Sequence, residues 1–176
     1  FWFYASADSE EIDKYVKFNH VEGTWDIGTL ARTAWVDLGV HENPRGAGAA
    51  SSVEYIYSHE SGQNDDGSAM DCFIESADFD LGDGEQFMFV DKLIPDVRLN
   101  DTSSDSTGSI DYVIKTRNFP LESLTTNSTS TVISSTQQAF MRARGRQAVV
   151  RIQSDSANLN WTLGDLRLNL RPDGRR

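Results

Sequence analysis

The sequence predicts an all-β protein: an antiparallel β-sandwich, jelly-roll-like, over residues 51–176, preceded by a strand segment over 1–40 and a linker over 41–50. Three observations predict it. Apolar and polar residues alternate with period two in "KYVKFN", "SVEYIYSHE", "DCFIES", "QFMFVDKLI", "DYVIKTR" and "AVVRIQS", the pattern of strands with one buried face. Turn clusters rich in Gly, Asp and Ser separate these runs at short intervals. No segment keeps a helical period over three turns. "SSTQQAFMRARG" comes nearest, but its Ser and Thr residues and the strand that follows favour an extended reading at least as well.

Residues 1–40 read as strand, turn, strand, turn, strand. "FWFYAS" comes first, then the hairpin in "YVKFNHVEGTWDIGTL", turning at Glu22-Gly23, then "TAWVDL". "HENPRGAGAASS" is rich in Pro, Gly, Ala and Ser, which marks a boundary. From Ser51 onward about seven strands follow. Asp66-Gly67 and Asp83-Gly84 sit at turn tips, and "LNDTSSDSTGS" and "LESLTTNSTST" are polar loops. Many short strands with such turns suit a sandwich or jelly roll.

With 176 residues, 38% hydrophobic and 24% charged, the chain has the makeup of a globular protein of one domain, or one domain and a small appended piece. No apolar run approaches the ~20 residues of a membrane helix, so no membrane span is expected. "FWFYASADSE" lacks the basic flank and cleavage site of a signal peptide. The chain opens directly in a strand without an initiator Met, so it is expected to be the C-terminal part of something longer or a processed product. Cys72 is the single cysteine, which excludes an internal disulfide and a cysteine-rich zinc site; within "AMDCFIES" it reads as a buried structural thiol. The Asn-x-Ser/Thr triplets at Asn100, Asn127 and Asn160 carry no weight, since such triplets are common by chance.

Motifs for chemistry are absent. His20, His41 and His59 have no metal-pair spacing, and no nucleophile elbow or phosphate-binding glycine loop occurs. No cofactor is therefore expected. Glu75, Asp78, Asp80, Asp83 and Glu85 cluster, but Gly82 stands where a calcium loop needs a ligand and no Glu closes a twelve-residue loop. A strand with Asp78 and Asp80 toward solvent and Phe79 and Leu81 inward, ending in a Gly-rich turn, is the better reading. The aromatics Trp2, Trp25, Trp35, Trp161, Tyr15, Tyr55 and Tyr57 permit a sugar platform, although strand aromatics more often pack a sheet.

The charge pattern singles out arginine. Formal net charge is -11, yet over 142–176 eight Arg face only Asp155, Asp165 and Asp173, an excess of +5 that leaves -16 on residues 1–141. In an extended "AFMRARGRQAVVRI", Arg142, Arg144 and Arg146 share one face, backed by Ala143 and Gly145, whose small size lets another layer lie close. Their partners are expected to be carboxylates, within the chain or across a subunit interface: an acidic neighbour strand such as the one with Asp78 and Asp80 fits. Arg151 joins the same set. A chain of pI ≈ 4.6 is not built for sequence-specific DNA reading.

"RARGRQAVVRIQSD…WTLGDLRLNLRPDGRR", "GTWDIGTLARTAWVD" and "DFDLGDGEQFMFVDKLIPD" together resemble the C-terminal region of structural proteins from tailed bacteriophages. These are the tail hub, nozzle or packaged-DNA-stabilisation proteins of short-tailed phages, and the resemblance covers most of the chain. It implies a non-enzymatic virion component, made in the bacterial host cytoplasm, whose copies form a ring around the DNA exit channel. It implies contacts with other tail or portal-adaptor proteins, and viral DNA passing through without sequence-specific binding. It also implies that residues 1–40 are the end of a β-propeller, since "EGTWDIGTLARTAWVD" resembles a blade strand and its exit. An acidic lumen would then let DNA slide rather than stick.

Two other readings stand beside this one. A carbohydrate- or host-receptor-binding sandwich predicts a row of exposed aromatics with nearby Asp or Asn. A glycan-cleaving enzyme predicts two facing carboxylates about 5 to 9.5 Å apart, for which no motif appears.

Overall fold

A computed structural model describes residues 1–50, 53–101 and 108–175. Every regular element among them is a strand, and every pairing is antiparallel. The all-β antiparallel class read from the period of two is therefore the observed one. No helix among the described residues is long and apolar enough to cross a membrane. The expected polar loop over "LNDTSSDSTGS" lies outside the described residues at 102–107.

The chain divides into two units, Phe1–Gly62 and Gln63–Arg176. The first contains two consecutive three-stranded meanders. One is β1 (Trp2–Tyr4), β2 (Lys14–Asn19) and β3 (Thr24–Thr29); the other is β4 (Ala34–Val36), β5 (Arg45–Ala50) and β6 (Val53–Ser58). Gly23 turns the β2–β3 hairpin with φ 68°, the left-handed value that Glu22-Gly23 led one to expect. The expected linker over 41–50 and the boundary near residue 50 need correcting, because β5 runs through that stretch and pairs with both β4 and β6. Its glycines have a packing role. A Cβ on Gly46 would lie 3.0 Å from Arg32 Cδ and His59 Nε2, and one on Gly48 would lie 2.7 Å from the Ala31 carbonyl oxygen. Glycine in this strand marks close approach by neighbouring groups rather than a loop.

The second unit is a sandwich. One sheet pairs β14 (Thr125–Val132), β13 (Ile110–Arg117) and β16 (Gln147–Ser154) in that order, and β9 (Cys72–Glu75) and β10 (Phe79–Asp80) share the far edge of β16. The facing layer holds β15 (Ala139–Gly145), β11 (Met88–Ile94) and β18 (Arg167–Pro172). Continuing it, β12 (Val97–Asp101) pairs with β17 (Leu159–Leu163) beyond a break at Pro95-Asp96. The short hairpin β7 (Asn64–Asp65) and β8 (Ser68–Ala69) turns at Asp66-Gly67.

Strand alternation builds the core between these layers. Ile110, Tyr112 and Ile114 of β13 and Ala148, Val150 and Ile152 of β16 meet Met88, Val90 and Leu93 of β11 and Ala139, Met141 and Ala143 of β15. Each large side chain buried here contributes about 1.5–3 kcal/mol. In β11 the inward positions change parity between Val90 and Leu93, because a bulge shifts the register between Val90 and Lys92. Phe79 and Leu81 pack against this core while Asp78 and Asp80 face solvent. Cys72 is half-buried rather than buried, with the Trp161 indole N–H donating to its sulfur at 3.2 Å.

Candidate functional site

The arginine strand is β15, and its burial alternates strictly: Ala139, Met141, Ala143 and Gly145 inward, Phe140, Arg142 and Arg144 outward. The small inner residues serve a close contact between layers. Thr116 of β13 donates its hydroxyl to the Arg144 carbonyl at 3.0 Å, and the Asn127 amide of β14 donates to the same carbonyl at 3.3 Å. Asn127 also donates to the Thr116 hydroxyl. Its triplet is thus committed to packing two layers together.

The four arginines have four different settings. Arg144 donates from Nε to Asp173 at 2.5 Å and lies over the Phe87 ring at 3.9 Å. Arg146 lies beyond the end of β15. Its guanidinium donates to the backbone carbonyls of Gly84, Glu85 and Arg175, with Phe87 and Phe119 beside it. Arg142 is exposed and has no ion pair among the described residues. Arg151 belongs to β16, in the other sheet. There it lies 3.5 Å from Glu75, donates to Gln153 at 2.6 Å and stacks over Phe73 at 3.7 Å.

Asp78 and Asp80 do not neighbour β15. The strand hydrogen-bonded to β15 is β11, whose Phe89 stands opposite Arg144. Asp78 accepts from Arg117 of β13 at 2.6 Å, and Asp80 stands opposite Gln147 of β16. The expected pairing of those carboxylates with the arginine strand is corrected accordingly: Asp173, just past β18, meets Arg144 instead. A period of two fixes which face a residue occupies and leaves the neighbouring strand open.

Sequence reasoning missed the outward set on the first sheet. Lys115 donates to Glu75 at 2.6 Å, so Glu75 joins Lys115 and Arg151 in one cluster. The Lys115 hydrogen bond, then the Lys115 and Arg151 charges, hold the Glu75 carboxyl below its ordinary 4.5, against the raising effect of burial. It also missed Phe87 and Phe89, although their odd positions between inward Met88 and Val90 carried that signal.

The first unit offers a different surface. On one face of its first sheet, Trp2, Val16 and Ile27 form a row, with Phe18 paired to Trp25 beside it. Trp25 and Ile27 are 65% and 68% exposed, with the Trp2 ring stacked on Trp25 and the Phe18 ring tilted against it. On the opposite face Phe1 and Phe3 pack against Trp35 of β4. Among the described residues of this unit no large apolar side chain is buried. No group of three metal-ligating side chains occurs among the described residues.

Comparison with known proteins adds no family: no protein-family model matches the chain, and no curated protein matches its sequence.

Proposed function

We propose that the chain is a structural component of a tailed-phage tail, of the hub or nozzle type, that acts through subunit contacts in a ring around the DNA exit channel. The exposed apolar face of β1–β3 carries this reading. A sheet presenting Trp2, Phe18, Trp25 and Ile27 to water, in a unit with no large apolar side chain buried among its described residues, is suited to being covered by protein. Two consecutive meanders resemble propeller blades, whose faces are closed by neighbouring blades. The sequence resemblance to tail proteins supplies the kind of assembly. The excess of -16 over residues 1–141 suits a channel wall that repels phosphate.

Light scattering and native mass spectrometry of the full chain test this reading. The expected result is a closed oligomer that a Trp2→Ser/Trp25→Ser/Ile27→Ser variant, with its sandwich still folded, no longer forms. A wild-type chain that stays monomeric and whose β1–β3 face stays open in the presence of tail proteins would overturn it.

A further inference from the structure

Beside the bulge of β11, on the outer face of the β15–β11–β18 layer, lies a groove of about 480 Å³ lined by Phe89, Asp91, Phe140, Met141, Arg142 and Arg171. We infer that this groove binds an acidic sugar, a pyranose bearing one carboxylate, as part of a glycan. The inference is independent of the assembly reading.

Three features point to that chemistry. Arg142 and Arg171 flank the groove; Arg171 lies over the Phe89 ring at 4.7 Å, and Arg142 has no ion pair among the described residues. Two guanidinium forks suit a planar carboxylate. Phe140 is 77% exposed on a strand whose alternate residues are buried, so it offers a flat apolar ring to the C–H face of a sugar. Asp91 lines the groove where the bulge shifts the register, and a carboxylate there accepts from a sugar hydroxyl.

Other anions use fewer of these features. An acidic peptide side chain brings a carboxylate but neither a hydroxyl for Asp91 nor a flat face for Phe140. A nucleic acid strand brings many phosphates to a chain of net charge -11, where an acidic sugar brings a single carboxylate per residue.

The test is calorimetric titration of the full chain with a tetrasaccharide of alternating glucuronic acid and N-acetylglucosamine. Its carboxyl-reduced form is the control, and oligo-dT and an oligo-glutamate peptide are the competing probes. The expected result is saturable binding with a Kd on the order of 0.1–1 mM. Carboxyl reduction, Arg142→Ala and Phe140→Ala should each weaken it by about tenfold or more. Both side chains are exposed, so both variants should fold, which circular dichroism checks. The proposal is overturned by absence of saturation, by binding indifferent to carboxyl reduction or to both variants, or by tighter binding of oligo-dT or the peptide that both variants abolish.

Discussion

The backbone of Gly145 passes so close to Thr116 that a Cβ added there would sit 2.5 Å from the Thr116 Cβ. This is where the arginine strand meets the opposite layer, and the Thr116 hydroxyl closes the contact on the Arg144 carbonyl. Gly145→Ala must push β15 and β13 apart or force Thr116 from its hydrogen bond. A loss of about 1–3 kcal/mol follows, read as a lower midpoint in urea unfolding of the sandwich. Gly23→Ala, whose Cβ would meet nothing within 4 Å, suffers only from its positive φ and leaves that transition in place.

Arg146 and Arg144 should differ on truncation. Arg144 pairs with Asp173 at a half-exposed site, so Arg144→Ala costs about 0–1 kcal/mol and leaves the chain's DNA affinity unchanged. Arg146 holds three backbone carbonyls, and Arg146→Ala takes away their donors at a cost of about 1–3 kcal/mol. Arg146→Lys should restore little of it, because an ammonium lacks the planar fork. Chemical denaturation of the three variants gives the ranking.

Glu75 supplies a pH signature. Its carboxyl is held below 4.5 in the folded protein, so its contribution is present above 4.5 and fades as pH falls through the lower folded value. Wild type should therefore exceed Glu75→Gln in stability by about 1 kcal/mol or less near neutral pH, the site being partly exposed. The gap should close below pH 4.5. Paired unfolding curves across that range measure it.

Tyr112 supplies the alkaline counterpart. Burial pushes its phenol up to about 12, with the Asp96 charge adding to the shift. A raised value means that its contribution is complete below pH 10 and is lost as pH rises toward 12. Phenolate absorbance should show one component near that value that disappears in Tyr112→Phe.

How much of this was legible in the sequence follows from what a period of two encodes. It placed Arg142 and Arg144 on the face opposite Ala143 and Gly145 and Phe79 inward of Asp78, while the dipeptides Glu22-Gly23 and Asp66-Gly67 marked two turns. Each of these is local. The partners are not local: Arg144 meets Asp173, 29 residues away, and Arg117 meets Asp78, 39 residues away. "RGAGAA" misled because composition alone does not tell a loop glycine from one packed under Arg32 and His59. The groove at Asp91 depends on a bulge, which needs the partner strands to be known.

The central proposal is that this chain works by being covered, copy against copy, around a channel. Electron cryomicroscopy of an assembled tail particle containing it is the direct measurement. The account predicts a ring of copies in which neighbouring protein covers Trp2, Phe18, Trp25 and Ile27, with acidic residues toward the lumen. A particle without the chain, a ring that leaves that sheet face in solvent, or a neutral or basic lumen would contradict it.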